Sequence, residues 1–177
     1  MLSTWMGRAS AKAGEKVIVL DCDLRRPNIH RTLGVENSVS LVEYLTGETE
    51  LQDIIQKDSL SGMHMIYARA VPHNAMYLIG SDKMKALVDD LRKIYDLVII
   101  DTPACLAVSD ARVLATLSDI TLYGVAWAQT PRDALRNGVK QFTDIGAPVA
   151  TFLMNVDVER QARYGYAESV YYYRDET

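Results

Sequence analysis

The chain has 177 residues, 49% hydrophobic and 24% charged, enough for one domain with a substantial core. Its net charge of -4 gives no general reason to expect nucleic-acid binding. No segment reaches the roughly 20 uninterrupted apolar residues of a spanning helix, the first 14 residues lack the apolar stretch and cleavage site of a secretion signal, and Cys22 and Cys105, with no CxxC spacing, read as reduced cytosolic thiols.

In chain order, residues 1–13 are helix-like and stop at Gly14. Residues 17–22 (VIVLDC) form a β-branched apolar run without polar alternation, the pattern of a strand covered on both faces in a parallel sheet. Residues 40–45 and 51–56 read as short helical pieces, and residues 63–67 (MHMIY) as a strand. Ser81-Asp82 opens a helix in which Met84, Leu87, Val88, Leu91 and Ile94 recur at spacings of three and four. Residues 97–100 (LVII) form a second buried strand, 110–117 a helix, 120–128 a further strand. Residues 133–145 make a helix started by Pro131 and closed by Gly146, and 149–155 a last strand. Strand and helix in alternation predict an α/β three-layer sandwich with a mainly parallel sheet and right-handed crossovers. One domain is expected over residues 1–156, followed from 157 by a polar tyrosine-rich tail that reads as mobile.

Two stretches carry candidate chemistry. In VIVLDCDLRRP, residues 17–27, strand alternation would aim Asp21 and Asp23 together from the carboxyl end of a strand, where open α/β sheets bind ligands. Paired carboxylates there suit a hydrated magnesium ion, or one of them suits a general base. Arg25 and Arg26 follow, suited to phosphate oxygens or to carboxylates. In DLVIIDTPA, residues 96–104, an apolar strand delivers Asp101 in the manner of a Walker B carboxylate, with the Thr102 hydroxyl beside it. The histidines His30, His64 and His73 are scattered without ligand spacing.

Apolar-DxDLRRP followed by apolar-DTP resembles the Walker A′ and Walker B motifs of the bacterial tyrosine kinases of the polysaccharide-export family. The stretch VSDARVLATLSD, residues 108–119, and the closing tyrosine cluster resemble that family too. Ala104 stands where the family has a second proline, and Ala126 where its late strand carries a basic residue. The resemblance implies a P-loop NTPase-like fold with ATP and Mg2+ as cofactors. By it, Asp21 is the base and magnesium-side acid, Asp23 assists, Arg25 belongs to the catalytic motif, and Asp101 organises the metal through water with Thr102 adjacent. Asn155 matches an asparagine that meets adenine in the wider deviant-Walker group, or is a turn residue. Tyr164, Tyr166, Tyr171, Tyr172 and Tyr173 would be autophosphorylation sites presented to a neighbouring subunit, or an interface tail.

No G-x-x-x-x-G-K-[ST] string occurs in the chain; Gly14-Glu15-Lys16 is the nearest and lacks the following hydroxyl residue. Alignment with the family places that loop, and the strand before it, upstream of Met1. The expectation is therefore an N-terminally truncated domain, with weak or absent ATP binding and exposed edges at residues 17–22 and the neighbouring strand. The resemblance further implies a tyrosine autokinase domain regulating exopolysaccharide synthesis and export, inactive in this form. Its partners would be kinase subunits in a homo-oligomer and a membrane-anchored activator or co-polymerase domain, its place the cytoplasmic side of the inner membrane. The alternatives are a non-catalytic assembly partner or phosphorylation target, and a partitioning-type ATPase of the same superfamily.

Overall fold

In the computed structural model, which describes residues 2–36 and 38–154, the chain forms two units, Met1–Asp119 and Ile120–Thr177. The first unit is organised by β1 (Val17–Asp21), whose residues are buried throughout. Ile18 and Leu20 enter one apolar cluster with Leu41, Leu87 and Leu91, while Val17 and Val19 enter another with Met63 and Met65. That split is the period of two a strand imposes, and it explains why the segment needs apolar residues at every position.

The sheet runs β2-β3-β1-β4. β3 (His64–Ile66) and β4 (Leu97–Asp101) lie parallel to β1, and β2 (Ile55–Lys57) is antiparallel to β3. Residues 17–22 are thus not at an edge: hydrogen-bonded neighbours flank β1 on both sides. The open edge falls on β4, which has no second strand partner among the described residues and is only half-buried along its length.

α1 (Leu2–Lys12) packs on the Val19 side of this sheet through a face of small residues, Ser3, Thr4 and Gly7, while Trp5 stands exposed. A Cβ at Gly7 would lie 2.7 Å from Val19 Cγ2 and 2.9 Å from Met63 Sδ, so the missing side chain is what lets the helix approach so closely. On the other side lies α6 (Asp82–Ile94), with Met84, Leu87, Val88 and Leu91 buried and Ser81 Oγ accepting the Met84 N–H at its start. α3 (Leu41–Thr46) opens with a capping box between Ser40 and Glu43. α7 (Asp110–Ala115) follows β4.

Three differences from the sequence pattern have local causes. The helical piece expected over 51–56 ends as α4 (Leu51–Ile54), and Ile55 and Gln56 pass into β2. The hairpin to β3 draws them in: Gly62, at φ 81°, makes the turn, and Asp58 accepts the Ser61 N–H and hydroxyl. α2 (Ile29–Leu33) and α5 (Ala75–Ile79) were not foreseen, because five residues are too few to display a helical period.

In the second unit, β5 (Thr121–Ala126) pairs in parallel with β6 (Val149–Met154), connected through α8 (Arg132–Thr143). A Cβ at Gly138 of α8 would overlap the Tyr123 ring and hydroxyl, a second close approach made through glycine.

Gly7→Ala is expected to force α1 off the sheet and to destabilise the protein by about 1–3 kcal/mol, the usual cost of overpacking. The measurement is urea unfolding, which should show a lowered midpoint at unchanged slope.

Candidate active site

The alternation that turns Val17 and Val19 toward α1 turns Asp21 the same way, and on β4 Leu97, Ile99 and Asp101 share that side. Asp21 and Asp101 are register partners at the last position of their strands. Two carboxylates therefore meet at the carboxyl ends of adjacent parallel strands. Asp21 is 0% exposed. Its Oδ1 accepts the Asp23 N–H at 3.2 Å, while its Oδ2 is buried with no hydrogen-bond partner among the described residues. Asp101 Oδ1 accepts a 2.6 Å hydrogen bond from Ser3 Oγ in the first turn of α1.

Burial first, and then the facing Asp101 charge, push the Asp21 carboxyl up to about 7. Burial also raises Asp101, opposed by the Ser3 hydroxyl that favours its ionised form. Adjacent carboxylates, one with an orphaned oxygen, call for a proton or a cation between them. Magnesium is commonly held in this way, by one or two carboxylates with water and substrate phosphates completing the shell. The residues present fit that ion: Asp21 and Asp101 would hold it, and it would supply charge neutralisation to phosphate oxygens.

Asp23 lies near enough for its charge to raise both carboxyls, but the strand does not aim it. The strand ends at Asp21, so the period of two no longer governs residue 23. Asp23 Oδ1 instead accepts the N–H groups of Arg25 (3.2 Å) and Arg26 (2.9 Å), closing a turn on its own backbone. Among the described residues no group of three or more His, Cys, Asp or Glu forms a metal cluster. Of the two chemistries open to Arg25, the structure shows the carboxylate: its guanidinium is forked onto Asp110, at the start of α7. Thr102 is exposed just past β4. Asn155, Tyr164, Tyr166, Tyr171, Tyr172 and Tyr173 lie outside the described residues.

Sequence reasoning missed Ser3 and Asp110. Asp110 sits in the VSDARVLATLSD stretch, where Ser-Asp before an apolar run signals a helix start but not a partner 85 residues away. Ser3 gave no signal beyond its place four residues before Gly7, on the packing face of α1.

A mainly parallel α/β sheet with paired acids at its strand ends has the P-loop NTPase-like fold, and comparison with known proteins agrees. A family model described as an AAA domain matches residues 2–145. The septum site-determining protein MinD of Pyrococcus horikoshii, solved with Mg-ADP, shares the fold with a TM-score of 0.70 at 19% identity, over 86% of this chain and 63% of that one. Within this superfamily the chain belongs to the bacterial tyrosine-kinase domains. The tyrosine-protein kinase etk of Escherichia coli K12 is 31% identical over 159 residues, covering 90% of this chain and 22% of that protein. The solved kinase domain of that enzyme superposes with a TM-score of 0.84 over 88% of this chain and 61% of its own. The kinase domain of VpsO gives a TM-score of 0.82 at 31% identity, over 88% of this chain and 77% of its own. The chain spans 22% of the length of the first curated relatives it matches.

The raised Asp21 carboxyl makes stability depend on pH. The native state binds a proton that the unfolded chain, with an ordinary value of 3.8, releases; this contribution is complete below about pH 4 and is lost as pH rises through about 7. Asp21→Asn should remove that dependence and be more stable than wild type at pH 8, by at most about 4 kcal/mol. Urea unfolding at pH 5 and pH 8 checks this. Added Mg2+ at pH 8 should raise the wild-type midpoint and leave that of Asp21→Asn unchanged.

Proposed function

We propose that this chain is the carboxylate-bearing part of a tyrosine autokinase domain that regulates bacterial exopolysaccharide synthesis and export, and that by itself it is a weak or inactive kinase. The observation carrying this reading is the pairing of Asp21 with Asp101 at the ends of β1 and β4. Mg2+ and ATP, when bound, supply the phosphoryl group and the charge that neutralises its oxygens. Asp21, protonating near neutral pH, is suited to accept the proton of an attacking tyrosine hydroxyl. Ser3 holds Asp101 in place, and burial keeps water from Asp21.

The weakness follows from charge. Residues 1–177 contain no G-x-x-x-x-G-K-[ST] string, so this chain brings neither the N–H cradle nor the lysine that offset a triphosphate, and two carboxylates alone repel one. The substrates in this reading are Tyr164, Tyr166, Tyr171, Tyr172 and Tyr173, presented to a neighbouring kinase subunit of a homo-oligomer. Each phosphate adds about -1.5 to -2 charges, enough repulsion to loosen an assembly. A membrane-anchored activator or co-polymerase domain would hold the assembly at the cytoplasmic face of the inner membrane. The missing loop string also favours a second reading, a non-catalytic assembly partner that is phosphorylated by another kinase.

Incubation with labelled ATP and Mg2+ tests this. The chain alone should incorporate no more phosphate than its Asp21→Asn variant. Mixed with the active kinase domain of Escherichia coli etk, it should become phosphorylated, and replacing the five tail tyrosines by Phe should abolish the signal. Strong, Asp21-dependent phosphotyrosine from the chain alone contradicts the claim of weak catalysis. No labelling in the mixture contradicts the substrate role.

A further inference from the structure

Arg25 makes more contacts than a phosphate ligand in waiting would. Its Nε donates to Asp110 Oδ2 at 2.6 Å, its Nη2 to Asp110 Oδ1 at 3.0 Å and its Nη1 to the Pro72 carbonyl at 3.3 Å. The Asp110 side chain is 0% exposed and the Arg25 side chain 31%. Beside this fork the Val71 N–H donates to the Leu24 carbonyl at 2.8 Å. Arg25 follows β1, Pro72 follows β3 and Asp110 follows β4, so the guanidinium joins loops at the carboxyl ends of three adjacent parallel strands. The planar fork matches a carboxylate and leaves a further N–H for the carbonyl, a geometry lysine does not reproduce. A fork filled by a buried carboxylate is not available to phosphate, since withdrawing it would strand the Asp110 charge.

We propose that Arg25 is a positioning residue and not a phosphate ligand: paired with Asp110, it clamps the loops after β1, β3 and β4 and fixes the turn that packs Asp23 against Asp21. This rests on the reading of Asp21 as the reacting carboxylate. Its test needs neither nucleotide nor metal, so the clamp and that reading fail separately.

The experiment is amide hydrogen exchange by NMR on the full chain, comparing the loop amides of Asp23, Arg26 and Val71 with the core amides of Val19 and Leu91. Arg25→Gln and Asp110→Asn should each speed the loop amides by about tenfold while the core amides hold, and the double variant should add little to either single one. Arg25→Lys should not restore protection. Millimolar guanidinium ion should slow the loop amides of Arg25→Gly, and should have no such effect once Asp110 is also replaced. Should Asp110→Asn fail to fold, the Arg25 variants and the guanidinium rescue decide alone. Unchanged loop exchange in Arg25→Gln, effects that multiply in the double variant, or a wild-type Arg25 Nε signal that moves on titration with inorganic phosphate would overturn the clamp.

Discussion

β1 and β4 pair in parallel, residue for residue, from Val17 with Leu97 to Asp21 with Asp101. Everything the site does depends on that register. A slip of one residue would turn Asp101 to the opposite face and leave Asp21 buried without a partner of either sign. The register is held from both sides. Ile18 and Leu20 are buried in one apolar cluster, Val17 and Val19 in the other, and neither set tolerates exchange with the polar ends of the strand. α1 adds a third restraint, because its close approach at Gly7 brings Ser3 to Asp101.

Charge is the second constraint. The Asp101 and Asp23 charges make Asp21 costlier to ionise, and the Asp23 charge does the same to Asp101. Ser3 donates to Asp101 and the turn amides of Arg25 and Arg26 satisfy Asp23, while the Arg25 guanidinium is spent on Asp110 and does not offset the pair. Asp21 is left the least compensated of the three, with a buried oxygen that has no partner among the described residues. A site arranged in this way favours a proton at neutral pH and a divalent cation above it.

Much of this was legible from the amino acids, for physical reasons that also mark where legibility stops. Residues 17–22 announced themselves because a strand buried on both faces admits no polar alternation; residues 97–100 carry the same apolar run on a half-buried edge strand, and the acids closing those runs are Asp21 and Asp101. α6 was readable from its capped, amphipathic spacing. A D-x-D string does not say where the strand stops, so the turn that Asp23 closes on the Arg25 and Arg26 amides was not legible. Ile55 was read as helical, and only pairing with β3 makes it a strand residue. The joining of Arg25 to Asp110 spans 85 residues and is a tertiary fact that no local pattern carries. The glycine approaches at Gly7 and Gly138 are of the same kind.

The most direct measurement is the carboxylate carbon signal of Asp21, followed by NMR against pH in the wild type and in Asp101→Asn. The account predicts a wild-type midpoint at about 7, falling toward the ordinary carboxylate range once the facing charge is removed. A wild-type Asp21 that titrates as an ordinary exposed carboxylate, with no response to Asp101→Asn, would mean that the two strand ends do not share one site.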